Sequence, residues 1–370
     1  MPPVSLLIKP ASGLCDLRCK YCFYADEAQR RKRADYGIMS EETLQNVLAR
    51  AFEAAEGGLH VAFQGGEPTL AGIEFFRRVL ELEERLNARR VKVSNSLQTN
   101  GYQLGEDWAR LFAENGFLVG LSLDGVRHTH DAFRLNARGE GTFFDVLRTK
   151  ELFDRFGVEY NILTVVNGRT AQNARRIYEF YRKNGVKYLQ FIPCLDPLDG
   201  AAGPYSLTAE AYGRFLTELF ELWFADWQKG RQPYIRAFEN YLGILLGYAP
   251  ESCDQVGHCS LQNVVEANGD VYPCDFYCLD AYRLGNLNVD SLADIRAKLL
   301  ETGFIEASLE KPPECADCDL YFLCRAGCRR HRERGEDGVL HNRFCAAYRM
   351  FFNEALPRMH YMATVISRGQ

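Results

Sequence analysis

The chain has 370 residues, 25% of them charged and 47% hydrophobic, with a formal net charge of −5. That is ordinary globular composition, long enough for one large or two moderate domains. The acidic balance and the lack of any Lys/Arg block exclude a general nucleic-acid binder. The opening MPPVSLLIKPASG has no basic start and no long apolar core, and no apolar run could span a bilayer, so neither secretion nor membrane insertion is expected.

Taken in chain order, strand and helix patterns alternate. Apolar strand patterns cover 4–9, 59–64, 91–97, 117–123, 158–166 and 186–193. Helical patterns lie near 40–57, 71–88, 105–115, 142–156 and 170–184, the first with Ser40 as N-cap and Glu41 and Glu42 in its first turn. Six β–α repeats of this length predict an α/β fold with a parallel sheet and right-handed crossovers. They are too few for a closed eight-stranded barrel and fit a partial (β/α)6 TIM-like barrel, with functional residues at the strand C-terminal ends. Residues 200–250 carry an aromatic helical pattern (Tyr212, Phe215, Phe220, Trp223, Phe224, Trp227) that reads as core or domain-docking surface. From residue 253 cysteines dominate, and Asn268-Gly269 marks a hairpin between two short strands. The expected division is a barrel over 1–200, a helical bridge over 201–250, a small cysteine-rich α+β domain over 251–350 and a C-terminal helix or tail over 351–370.

Thirteen cysteines without a secretory signal read as metal or cluster ligands rather than disulfides. Cys15, Cys19 and Cys22 form a C-x3-C-x2-C loop directly after the first strand, edged by Tyr21, Phe23 and Tyr24. Three thiolates can hold three irons of a 4Fe–4S cube and leave the fourth open, whereas electron-transfer clusters close every iron with a fourth cysteine. A zinc loop is the alternative, but no fourth ligand follows before His60. The second strand runs into Gln64-Gly65-Gly66-Glu67-Pro68, where paired glycines admit close backbone approach and Glu67 can accept from an ammonium group. The third and fourth strands end in Gln98-Thr99-Asn100-Gly101 and Ser122-Leu123-Asp124-Gly125. Eight later cysteines, Cys253, Cys259, Cys274, Cys315, Cys318, Cys324, Cys328 and Cys345, make two sets of four, suited to clusters or to zinc. Cys194 and Cys278 are left over, with no role assigned.

The cysteine loop followed one strand later by GGEP resembles the radical S-adenosylmethionine (SAM) enzymes. The C-x9-G-x4-C run (Cys259, Gly269, Cys274) with C-x2-C-x5-C-x3-C resembles their SPASM extension. By that resemblance Cys253, Cys259, Cys274 and Cys328 hold one auxiliary 4Fe–4S cluster, and Cys315, Cys318, Cys324 and Cys345 the other. Together with the loop this makes three 4Fe–4S clusters. Within the group the chain is most similar to the anaerobic sulfatase-maturating enzymes, through SLLIKPAS, CKYCFY, AFQGGEPTLAG, NSLQTNG, QFIPCLDPL and VYPCDFY.

The resemblance implies oxidation of one Cys or Ser in a sulfatase peptide of pattern C/S-x-P-x-R to Cα-formylglycine. A 5′-deoxyadenosyl radical takes a hydrogen atom from the β-carbon, a base removes the thiol or hydroxyl proton, and the second electron leaves through an auxiliary cluster. Asp275, in the YPCDFY run, matches the family's catalytic aspartate. Tyr21, Gly66, Ser122, Arg134 and Leu195 match the SAM contacts, with Arg134 as carboxylate partner. Tyr24, Gln64 and Gln98 are candidate peptide contacts. The implied partners are an unfolded or nascent sulfatase polypeptide and a one-electron donor such as flavodoxin or ferredoxin, in an anaerobic cytoplasm. A second reading uses the same three clusters to crosslink a ribosomal peptide. Many such maturases carry an N-terminal leader-binding domain, whereas here the barrel is expected to begin at Val4.

Overall fold

The computed structural model describes residues 3–369; the first two residues of the expected barrel and the last residue of the expected tail lie outside them. In chain order the strands are β1 (Val4–Ile8), β2 (Leu59–Phe63), β3 (Val93–Thr99), β4 (Leu118–Ser122), β5 (Glu159–Val166), β6 (Tyr188–Pro193), β7 (Tyr234–Ile235), β8 (Val264–Val265), β9 (Asp270–Tyr272) and β10 (Gly285–Asn286). All six expected strands are present, and the fold is mixed α/β built on parallel strands, as the alternation predicts.

The chain forms two compact units, each assembled from separate segments. The first takes the residues up to Ser122, Arg134–Tyr160 and Ser260–Phe304. The second takes Leu123–Phe133, Asn161–Cys259 and the chain from Ile305 on.

In the first unit β1, β2, β3 and β4 pair in parallel register, Leu6 opposite Val61 and Val61 opposite Asn95. Leu6, Ile8, Val61, Phe63 and Leu97 face a core that continues into Phe76, Phe112 and Phe117, ring centroids 5.1 Å apart for Phe63–Phe76 and 5.5 Å for Phe112–Phe117. Each such pair adds about 1 kcal/mol beyond its buried area. The helix Glu41–Ala54 starts where expected, Ser40 Oγ accepting from the Thr43 amide at 3.1 Å. Parallel register brings the C-terminal ends of these strands to one edge, so the loops after them share a neighbourhood. On the other side of β1, Leu7 and Ile8 pair in parallel with Val264 and Val265 of β8. The Asn268-Gly269 turn then returns the chain antiparallel through β9, Val265 opposite Val271, and β10 follows. The hairpin read from the sequence is therefore an extension of the first unit's sheet.

In the second unit β5, β6 and β7 are parallel. The aromatic pattern becomes the helix Ala209–Trp227, with Tyr212, Phe215, Phe220 and Trp223 buried. It packs against the helix Cys345–Arg368, Phe220 lying 5.8 Å from Phe351, and Phe351 stacks on Phe238 at 5.6 Å. No helix of the described residues is long and apolar enough to cross a membrane.

Candidate active site

The cysteine loop leaves the end of β1 and is held by the strand that follows in sequence. The Gly66 amide donates to the Ser12 carbonyl at 2.9 Å and the Glu67 amide to that of Leu14 at 2.7 Å. A Cβ at Gly66 would stand 2.0 Å from the Leu14 carbonyl oxygen, so only glycine permits this approach. Gly65 sits at φ +111°, which favours glycine for a second reason.

Glu67 turns inward under the loop. Its Oε1 accepts from the Thr69 amide (3.1 Å), the Thr69 hydroxyl (2.7 Å) and the Thr99 hydroxyl (2.8 Å), and its Oε2 from the Asn100 amide (2.7 Å). Burial raises this carboxyl to about 7 against those four donors. Glu67 thus braces the loops after β2 and β3.

The three thiols are half-buried. Cys15 Sγ accepts from the Leu17 amide at 3.4 Å and from Asn100 Nδ2 at 3.7 Å, and Asn100 Nδ2 also donates to Asp16 Oδ1 at 2.7 Å. Arg134 lies 4.0 Å from Cys19 Sγ, its guanidinium 5.9 Å from the centre of the buried Tyr21 ring. Cys22 is the N-cap of the helix Phe23–Gln29, which sequence patterning did not foresee. Burial pushes the Cys15 thiol up to about 12 and raises that of Cys22. Such thiols ionise when a cationic centre takes them as ligands. An all-sulfur donor set with amide and guanidinium donors turned toward it fits an iron–sulfur group. Among the described residues, no three His, Cys, Asp or Glu side chains are grouped tightly enough to share one metal ion.

Asp275 opens the short turn Asp275–Tyr277 directly after β9 and Cys274. It is buried, its Oδ2 accepting from the Tyr24 hydroxyl at 2.5 Å while its amide donates to Gln262 Oε1 at 3.1 Å. The Tyr24 hydroxyl also lies 3.3 Å from Gln64 Oε1, so the structure gathers Tyr24, Gln64 and Asp275. Asp275 Oδ1 is buried with no hydrogen-bond partner among the described residues. Burial raises this carboxyl, and Lys9 and Tyr24 work against the rise.

Lys9 directly follows β1 and is almost completely buried, 3.4 Å from Glu266 and 5.0 Å from the Tyr24 ring centre. Burial opposes its charge, but Cys278, Glu266, Asp275 and Glu27 surround it and raise its pKa above the ordinary lysine range. Arg31 reaches the same Glu266 at 2.6 Å. Burial alone would raise the Glu266 carboxyl, yet the two cations hold it below its usual range. Glu27 accepts from the Cys278 amide at 3.3 Å, and burial pushes it up to about 8. Sequence reading passed over Lys9, Arg31 and Glu266, although Lys9 stands inside the SLLIKPAS run.

Of the other candidates, Gln98 donates to Ser122 Oγ at 2.9 Å at the ends of β3 and β4, with Gly120 leaving the space that the Gln98 amide fills. Leu195 belongs to the second unit, half-buried just after β6.

Seven of the eight later cysteines lie in the second unit, and Cys274 lies in the first. Burial raises the thiols of Cys253, Cys259 and Cys328, with Cys253 and Cys259 adding to the rise at Cys328, and the Cys259 amide is tied to Ser308 Oγ at 2.9 Å. In the set Cys315, Cys318, Cys324 and Cys345, the thiols of Cys315 and Cys324 are each raised by burial and by their cysteine neighbours. Arg332 binds this region together, donating to the carbonyls of Gly257, Ser308, Glu310, Ala326 and Gly327 at 2.7 to 3.1 Å. Cys194 and Cys278 are buried, as small apolar side chains would be.

Residues 10–181 match the Radical SAM superfamily and residues 253–319 an iron-sulfur cluster-binding domain. A cysteine-type anaerobic sulfatase-maturating enzyme of Clostridium novyi (strain NT) is 43% identical over the full length of both chains. A serine-type enzyme of Bacteroides thetaiotaomicron is 29% identical over 100% of this chain and 93% of its own. The solved structure described as native anSMEcpe with bound AdoMet and Cp18Cys peptide superposes with a TM-score of 0.92 at 44% identity, covering 99% of this chain and 100% of that one. This chain belongs to the anaerobic sulfatase-maturating enzymes, a radical SAM family with a SPASM iron–sulfur domain, as its motifs lead one to expect.

Proposed function

We propose that the protein oxidises a cysteine, within a C-x-P-x-R segment of an unfolded or nascent sulfatase, to Cα-formylglycine. Cysteine is preferred over serine because the full-length similarity to cysteine-type relatives, 43–44%, exceeds the 29–32% to serine-type ones. Cys15, Cys19 and Cys22 would hold a 4Fe–4S cluster with an open iron, and Arg134, Gly66, Ser122, Tyr21 and Leu195 would hold SAM. That pair, when bound, supplies a 5′-deoxyadenosyl radical able to take a hydrogen atom from the substrate β-carbon. The two later sets of four cysteines would hold the auxiliary clusters, and a flavodoxin- or ferredoxin-like carrier in the cytoplasm would supply electrons.

What the chain itself contributes is a positioned base. The observation that carries the proposal is Asp275, buried, with one oxygen bonded by Tyr24 and the other without a hydrogen-bond partner among the described residues. A buried carboxylate oxygen that accepts no hydrogen bond from the described residues would serve to take the substrate thiol proton. Gln64 restrains the Tyr24 hydroxyl, and so limits how Asp275 can turn. The test is anaerobic incubation of reconstituted Asp275→Asn protein with SAM, reductant and a C-x-P-x-R peptide. We expect 5′-deoxyadenosine to form while aldehyde yield drops by about 10²- to 10⁴-fold, the worth of a general base. Aldehyde formation at the wild-type rate with all clusters intact would remove Asp275 from this role.

A further inference from the structure

Asn100, directly after β3, reaches 85 residues back along the chain to the cysteine loop. It is buried and held at both ends. Its backbone amide donates to Glu67 Oε2 at 2.7 Å, and its side-chain oxygen accepts from the Tyr102 amide at 2.7 Å. These bonds fix which way the side-chain amide points. Turned over, it would set Oδ1 against the Asp16 carboxylate and Nδ2 against the Tyr102 N–H, acceptor on acceptor and donor on donor. Nδ2 therefore faces the loop, 2.7 Å from Asp16 Oδ1 and 3.7 Å from Cys15 Sγ. Asp16 is the charge that this amide answers, for its Oδ1 lies 3.9 Å from the same sulfur. Two N–H groups meet Cys15 Sγ, from Leu17 at 3.4 Å and from Asn100. The first belongs to the loop itself. The second arrives from another strand end and bonds the carboxylate as well.

The potential of an iron–sulfur cluster follows its net charge, the hydrogen bonds to its sulfurs and its exposure to solvent. Adding an electron makes the cluster more negative by one unit. A carboxylate beside a ligand sulfur opposes that change, and an N–H donor to the sulfur favours it. We propose that Asn100 is a positioning residue that offsets the Asp16 carboxylate at Cys15, and so keeps the reduction potential of the open-iron cluster within reach of a one-electron carrier. The inference rests on the reading that Cys15, Cys19 and Cys22 ligate that cluster. In the step concerned the carrier loses one electron and the cluster gains it, with no bond made or broken. Asn100 and Asp16 act on one sulfur with opposite signs.

The test uses the full chain, reconstituted without oxygen, with iron and sulfide counted before electrochemical titration under spin-resonance detection. The loop cluster is recognised as the reduced signal that changes when SAM is added, and that is missing when Cys15, Cys19 and Cys22 are changed to Ala. Asn100→Ala should move the midpoint of that signal to more negative values. Asn100→Asp, nearly the same in shape, should move it further, and Asp16→Asn should move it the other way. Unchanged midpoints in fully loaded Asn100→Asp and Asp16→Asn proteins would overturn the inference. A shift of the same sign in both would do so as well, since shape rather than charge would then be at work. If the single Asn100 variants fail to hold iron, the double change Asn100→Ala with Asp16→Asn decides. Its midpoint should fall below that of Asp16→Asn alone, and an equal midpoint overturns the inference. If the parent chain shows no signal that responds to SAM, the ligand reading fails first, and the inference with it.

Discussion

The cysteine loop of the first unit and the Cys315–Cys345 array of the second present the same ligand type by different physical means. The loop springs from the end of a buried parallel strand, and neighbouring strand ends fix it through main-chain bonds to Gly66 and Glu67. Beneath it lies a charged cluster of Lys9, Arg31, Glu266, Glu27 and Asp275, sealed from water. The array has a two-stranded ribbon beside it, Arg332–Arg334 with Leu340–Asn342; Cys315 and Cys324 end short helical turns, and Cys345 opens the helix Cys345–Arg368. Arg325, Ala326 and Gly327 run consecutively at positive φ, of which only glycine is at ease there. The Ala326 carbonyl is clamped by Arg332 at 3.1 Å and by Asn342 at 2.7 Å, which offsets the strain. Where a sheet is available, strand ends place ligands; where it is not, one arginine fork gathers the carbonyls that a sheet would have paired.

The largest expected effect separates the two sites by chemistry. Cys15→Ala should abolish 5′-deoxyadenosine formation and aldehyde together. Cys345→Ala should retain 5′-deoxyadenosine formation and lose aldehyde if, as the family resemblance implies, these cysteines serve only the uptake of the second electron. Chromatographic quantitation of both products decides this, and identical losses in the two variants would erase the distinction.

A smaller effect separates them by stability. Lys9→Met should cost about 3–5 kcal/mol, because it leaves Glu266 and its acidic neighbours buried with one cation fewer. Arg332→Lys should cost about 2 kcal/mol, since an ammonium cannot reach five carbonyls and part of this surface remains open to water. Urea unfolding monitored by intrinsic fluorescence would rank the pair. A larger loss for Arg332→Lys would mean that the array, rather than the sheet-bound loop, dominates folding.

Much of this was legible in the sequence, and what was not shares a cause. The six strands, the Ser40 cap and the Asn268-Gly269 hairpin follow from periodicity and turn chemistry, which are local. The cysteine sets and Asp275 stand out because thiol spacing and the VYPCDFY run are distinctive. Lys9, Glu266 and Arg332 gave no signal, since a buried charge's partners lie far along the chain and charged residues default to the surface. The pairing of β8 with β1 was hidden as well, for two-residue strands have no readable period. The bracing role of Glu67 was hidden too, because a Gly-Gly-Glu run looks the same whether or not its carboxylate also ties neighbouring loops together.

The smallest effect sharpens the contrast between buried acids with and without a cation. Glu83, on the helix Ile73–Leu86, accepts from Asn95 Nδ2 at 2.9 Å, and among the described residues its other oxygen has no hydrogen-bond partner and no ion pair reaches it. Burial pushes it up from its ordinary 4.5 to about 7, the Asn95 bond only partly opposing this. The folded chain therefore binds a proton there that the unfolded chain releases across that interval. Stability falls as pH rises from 4.5 to 7 and is flat above, the reverse of Glu266, which two cations hold low. Glu83→Gln removes the ionisation and keeps an acceptor for Asn95, so it should stabilise the protein by about 2 kcal/mol at pH 8 and by almost nothing near pH 4.5. Urea midpoints at the two pH values measure this. An equal gain at both would assign the effect to packing, and no gain at either would mean that water already solvates the Glu83 carboxylate.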